Sequence, residues 1–148
     1  MLDWWSMLFP TTHVCLFCAT PIRVHPFAGI WKRLCFACQN QLQWIGSTIC
    51  KVCGRGMKQA KTNICSDCRV IHPTEWVYNR SVFKYNAFVK QIIWRYKYKG
   101  QEKLAEPLGW LMAEVLERHW SKKKFVLSYV PLHTQRLLER GFNQAELL

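Results

Sequence analysis

Four C-x-x-C pairs constrain this chain more than any other feature: Cys15/Cys18, Cys35/Cys38, Cys50/Cys53 and Cys65/Cys68. Sixteen residues separate the first two pairs, and eleven separate each later pair from the next. Two residues between cysteines let both sulfurs of one turn reach one ion. A loop of that length then brings a second turn to the ion's other side. Four thiolates close a tetrahedron around Zn²⁺ with no open position, so such a site is structural rather than catalytic. It adds on the order of 10 kcal/mol to folding, which a region with little core of its own needs.

Sequential pairing is the simplest arrangement. Site one then uses Cys15, Cys18, Cys35 and Cys38, and site two uses Cys50, Cys53, Cys65 and Cys68. Interleaved pairing stays open, because the middle spacing equals the last. Gly54, directly after Cys53, favours a zinc knuckle there, since a residue without Cβ lets backbone N–H groups approach sulfur. Ala19, Gln39 and Arg69 hold the same place in the other three turns. Disulfides, a redox-active C-x-x-C and an iron–sulfur cluster are weaker readings of four pairs at ribbon spacing. His13 and His25 stand near ligands and read as surface histidines before substitute ligands.

Eight cysteines in 148 residues would suggest disulfides in a secreted chain. The first twelve residues, however, hold no Lys or Arg and no apolar stretch long enough for a signal peptide. No later stretch reaches the roughly 18 uninterrupted apolar residues of a membrane helix. The expectation is a reducing, cytoplasmic setting with no membrane span. The formal charge is +12, from 21 Lys and Arg against 9 Asp and Glu. Eight thiolates on two Zn²⁺ would bring it to about +8. Such a surface favours polyanions: nucleic acid, phosphate or pyrophosphate.

All eight cysteines lie in residues 1–72, and none in 73–148. Pro73 marks the boundary, because proline disfavours helix at the residue before it. Residues 76–78 and 81–85 are rich in aromatic and β-branched types and predict two strands, with a turn at Asn79-Arg80. From Asn86, apolar residues at spacings of three and four predict a helix over Phe88, Val89, Ile92, Ile93 and Tyr96, ended by Gly100. A second helix is predicted over 102–119, starting late if Pro107 sits in its first turn. Lys122 to Lys124 mark a surface turn. Residues 125–130 then read as a buried strand of a parallel sheet. A helix-like stretch from Thr134 breaks at Gly141 and resumes at Asn143. The predicted fold class is thus a small zinc-ribbon domain, with short β-hairpins around two Zn, followed by an incomplete α/β domain. The apolar helical pattern running to Leu148 without a cap leads to the expectation of a fragment or truncated product.

The segment from Val130 to Ala145 carries the remaining chemistry. Arg136 and Arg140 offer guanidinium forks to phosphate oxygens, Gly141 lets a ligand approach the backbone, and Asn143 and Gln144 stand where a helix begins. This suggests a phosphate or pyrophosphate site at the edge of a sheet. A solvated basic helix is the plainer alternative.

These residues together resemble one family. The four C-x-x-C pairs resemble the N-terminal double zinc ribbon of the ComF family of phosphoribosyltransferase-like competence proteins. Tyr85-Asn86, Ile92-Ile93 and Lys97-Tyr98-Lys99-Gly100 resemble its helix and lysine-aromatic-x-glycine turn. Pro131-Leu132-His133, Arg136 and the run from Arg140 to Ala145 resemble its most specific motif. The resemblance implies a type I phosphoribosyltransferase-like domain over residues 73–148. Carried over, Pro131, Arg136, Arg140 and Asn143 would contact the pyrophosphate of phosphoribosyl pyrophosphate, with Lys97 and Lys99 as weaker candidates and His133 as a surface residue or a phosphate contact. Relatives continue into an acidic pair and a Thr-Thr-Gly turn, which bind the sugar phosphate and help hold Mg²⁺. The chain ends before that loop, so no catalytic residue and no turnover are expected of it. The resemblance also implies a part in DNA uptake and natural transformation, handling single-stranded DNA, with a helicase of the competence machinery as a candidate partner. Trp31, Phe36 and Trp44 suit stacking on bases, or packing around zinc.

Overall fold

The computed structural model describes residues 12–24, 29–58, 62–121 and 124–148. His25, Lys122, Lys123 and the first eleven residues lie outside these. The chain begins with a hairpin, β1 (Thr12–Val14) and β2 (Pro21–Arg23), paired antiparallel with His13 opposite Ile22. Helices follow: α1 (Phe36–Gln41), α2 (Ser66–Arg69), α3 (Ala87–Tyr98), α4 (Ala105–Trp120), α5 (Thr134–Arg140) and α6 (Gln144–Leu147). Short 3₁₀ turns precede α1 at Ile30–Arg33, α3 at Pro73–Glu75 and α4 at Glu102–Leu104. No helix among the described residues is long and apolar enough to cross a membrane.

The helix signals hold. Asn86 caps α3, its side chain accepting from Val89 N, and Gly100 follows the helix with φ +59°. Pro107 lies in the first turn of α4, where its missing N–H costs nothing. Gly141 ends α5 in the left-handed conformation at φ +80°, and the Asn143 side chain caps α6 by accepting from Ala145 N.

The strand expectations of the second half fail. Residues 76–78 and 81–85 do not pair with each other. Asn79 N donates to Val52 O (2.9 Å), Lys84 N donates to Gln43 O (2.7 Å), and Phe83 makes an isolated antiparallel bridge to Trp44. Residues 81–85 thus spend backbone groups on the cysteine-rich region, Val82 O also accepting from Ile45 N (3.5 Å), and no hairpin forms. Residues 125–130 are also not a buried strand: Val126, Leu127 and Val130 are 93%, 77% and 83% exposed. Among the described residues no ladder partner lies beside them, and a strand without a neighbour buries neither its face nor its hydrogen bonds. Among the described residues, the second half is therefore helices and extended segments without a sheet.

The main core crosses the two halves. Cys15, Phe17, Leu34, Cys38 and Leu42 pack with Ile92, Tyr96, Leu104, Leu111 and Phe142. A smaller core gathers Val52, Met57, Ile64 and Trp76 around Cys50 and Cys68.

Candidate metal centres and a basic cleft

The cysteines gather sequentially, not interleaved. Cys15, Cys18, Cys35 and Cys38 form one cluster and Cys50, Cys53, Cys65 and Cys68 another, the sulfurs of each lying within 4.8 Å of one another. A tetrahedron with Zn–S bonds of about 2.3 Å needs S···S near 3.8 Å. Cys18 to Cys35 at 3.5 Å and Cys53 to Cys65 at 3.7 Å match that scale. All eight are free of disulfides. The two clusters fit two structural zinc ions.

Both clusters use the same local device. At the first pair, Cys15 N donates to Thr20 O (2.8 Å) and Ala19 N to Cys15 O (2.8 Å). At the third pair, Cys50 N donates to Arg55 O (2.8 Å) and Gly54 N to Cys50 O (3.0 Å). The residue after each of these pairs is left-handed, Ala19 at φ 62° and Gly54 at φ 70°. The second and fourth pairs instead start short helices, with Cys35 and Cys65 as N-caps. Gln39 and Arg69 are thus helical, which is why the glycine signal was not uniform in the sequence. Each capping cysteine turns its backbone N–H onto a sulfur across the site: Cys35 N to Cys15 Sγ and Cys65 N to Cys50 Sγ, both 3.3 Å. Donors aimed at sulfur stabilise thiolates.

The thiols are polarised. At Cys18, burial pushes the thiol up, but hydrogen bonds from Thr20, Cys15 and Cys35 outweigh it and hold it at about 6. Cys50 likewise lies at about 6, where burial is outweighed by the backbone amides of Cys65, Cys53 and Val52. Burial and the neighbouring sulfurs raise Cys38, and push Cys68 up to about 12. Negative charge that four crowded thiols cannot share alone is what a dication neutralises. His13 stands in β1, and four sulfurs complete the first cluster without it.

The second predicted site is partly assembled. Lys97, Arg136 and Arg140 line one cleft of about 330 Å³, with Tyr98, Gly100 and Glu139. Arg140 stacks on the Tyr98 ring (4.8 Å) and donates to Gln144 Oε1 (2.7 Å), while Arg136 pairs with Glu139 (2.7 Å). Pro131, Lys99 and Asn143 are not among the lining residues. Lys99 lies over Trp94 (4.8 Å), and the Asn143 side chain is spent on its cap. The His133 side chain caps α5, accepting from Gln135 N. Sequence reasoning missed Tyr96, whose buried hydroxyl donates to Gln144 O (2.8 Å) and ties α3 to this motif. It also missed Arg95, which donates to Phe17 O (2.7 Å) inside the first knuckle. Both stand on the helix whose apolar period was visible, but their partners are distant in sequence.

Trp31 packs on Trp44 and Phe83, and Phe36 is 78% exposed.

The double zinc ribbon domain family matches residues 4–69. The chain is 33% identical over 122 residues to Competence protein ComFC of Bacillus subtilis (strain 168), covering 79% of this chain and 50% of that relative. It is 31% identical over 114 residues to Competence protein ComFC of Streptococcus pneumoniae (strain ATCC BAA-255 / R6), covering 76% of this chain and 49% of that relative. The chain thus spans about half the length of the curated relatives it matches. No solved structure matches it. The ribbon match, both relatives and the two four-sulfur clusters agree, and together they support assignment of the chain to the ComF family.

Proposed function

We propose that this protein serves natural transformation, handling internalised single-stranded DNA in the cytoplasm. The observation that carries this is its likeness, over more than three quarters of its length, to two proteins named for competence. A formal charge of +12 supports it, since a basic surface draws polyanions. In this reading residues 1–72 are the zinc module, its eight cysteines the ligands of two Zn²⁺, and residues 73–148 belong to a phosphoribosyltransferase-like region. The zinc-loaded chain is expected to bind a labelled single strand with an affinity that falls steeply with salt. Absence of binding at low salt would overturn the reading.

A second reading has its own support. Lys97, Arg136 and Arg140 meet in one cleft, as a pyrophosphate site requires. Phosphoribosyl pyrophosphate, with Mg²⁺ in a full-length form, is the ligand this suggests, and Pro131, Lys99 and Asn143 would join only by rearrangement. Calorimetric titration with pyrophosphate tests it: saturable binding lost in Arg140→Ala supports it, and no heat at all sinks it. If both ligands fail and a competence helicase or other defined partner is retained, the zinc ribbons act as a protein-docking module.

A further inference from the structure

A second cleft among the described residues is larger than the basic one. It has a volume of about 830 Å³, lies between the two ribbons and α4, and no sequence motif announced it. That volume suits a ligand of nucleotide size.

One wall is aromatic. The Trp44 ring packs on Trp31 at 4.2 Å and on Phe83 at 4.8 Å between centroids. Trp31 and Phe83 lean on the main core, whereas Trp44 is no part of it and stays 41% exposed. Core packing therefore explains the first two rings but not the third. The Trp44 backbone is held by its bridge to Phe83, with Lys84 N on Gln43 O at 2.7 Å. A platform fixed in advance pays little ordering entropy when a ring stacks on it.

The other wall is cationic. Arg118 and His119 come from the last turn of α4, and Arg80 lies beside them. The Arg80 guanidinium donates to the carbonyls of Asn79 (2.6 Å), Lys51 (3.0 Å) and Val52 (3.4 Å), while its buried Nε has no partner. Arg80 is a fixed charge behind the wall, and Arg118 is the accessible one. Glu114, the lining carboxylate, already accepts from Trp31 Nε1 (3.0 Å) and Arg118 (3.4 Å). His119 is held below its ordinary value by burial and then by the positive charges of Arg80 and Arg118.

The geometry points to a nucleotide site in which a base stacks on Trp44 and its phosphate meets Arg118. A residue of single-stranded DNA and a free mononucleotide share this chemistry. In its DNA form the inference rests on the transformation reading and gives it an address.

The test uses the whole zinc-loaded chain, a fluorescein-labelled oligothymidylate and unlabelled dTMP. Trp44→Ala is expected to weaken oligonucleotide binding about tenfold, the weight of one base–aromatic stack, while Trp44→Phe retains most of it. Arg118→Gln is expected to weaken binding several-fold and to lower its salt dependence by about one phosphate contact. Two zincs per chain and an unchanged circular dichroism spectrum establish that the variants fold, and the exposed Arg118 carries the test if Trp44→Ala does not fold. Oligonucleotide binding that ignores both sites would overturn the inference and leave the transformation reading standing. If the oligonucleotide fails but dTMP binds and depends on Trp44 and Arg118, the pocket is a mononucleotide site and the DNA reading falls. Binding of neither ligand overturns the inference.

Discussion

The two cysteine clusters share their turn, their cap and their N–H···S contact, yet they sit in the protein differently. The first is built into the main core, where Phe17, between Cys15 and Cys18, is 1% exposed and packs near Phe88 and the α3 face. Arg95 reaches from α3 to the carbonyl of that same Phe17. The second has only its own small apolar cluster, joined to the second half by Trp76 and by hydrogen bonds from Asn79 and Arg80. Identical ligand chemistry thus gives one site that organises the helices and another that organises mainly itself. What separates them is the residue between the ligands: Phe17 is a large apolar side chain that enters a neighbour's core, and Val52 stays within its own.

The largest expected effect follows from this difference. Cys15→Ser should cost one zinc and much of the helical signal, because a structural zinc is worth on the order of 10 kcal/mol and here the core is attached to it. Cys50→Ser should also cost one zinc, but leave α3 and α4 largely intact. Zinc per chain and far-ultraviolet circular dichroism check both. Equal helix loss in the two variants would break the comparison.

Gly54→Ala comes next. Gly54 has φ +70°, and an added Cβ would lie 2.5 Å from Asn79 O. That is backbone, which cannot swing aside, so a loss of about 2–3 kcal/mol is expected in a denaturant titration. The damage should fall on the second ribbon and on its Asn79–Val52 contact. Full retention of stability would mean that this contact does not hold the ribbon to the second half.

Tyr96→Phe should cost about 1 kcal/mol, since it leaves the Gln144 carbonyl without its buried donor. Hydrogen exchange should quicken around α6 more than around either ribbon. Smallest is Ala19→Gly. Ala19 holds at φ 62° the turn that Gly54 holds at φ 70°, so glycine should relieve backbone strain for a gain of about 0.5 kcal/mol or less. A clear loss would show that the two knuckles are less alike than their hydrogen bonds.

Much of the helical half was legible in the sequence. Asn86, Gly100, Gly141 and Asn143 are local signals, and each caps or ends a helix where its own backbone preference puts it. The strands were not legible. Residues 81–85 and 125–130 have the right composition, but a strand is defined by its neighbour, and composition does not name one. The basic cleft was half legible: Arg136 and Arg140 belong to one helix, whereas Lys97 reaches them from another. The aromatic cleft was visible only as scattered tryptophans.

By itself the sequence determined the eight zinc ligands, because metal coordination is written in the short spacing of each C-x-x-C pair, while the structure chose sequential over interleaved pairing. Only the tertiary structure decided that Phe17 would join one site to the helices, and that Trp44 and Arg118 would line one cleft. Those outcomes depend on which apolar surfaces meet at long sequence separation, and no local pattern encodes that choice.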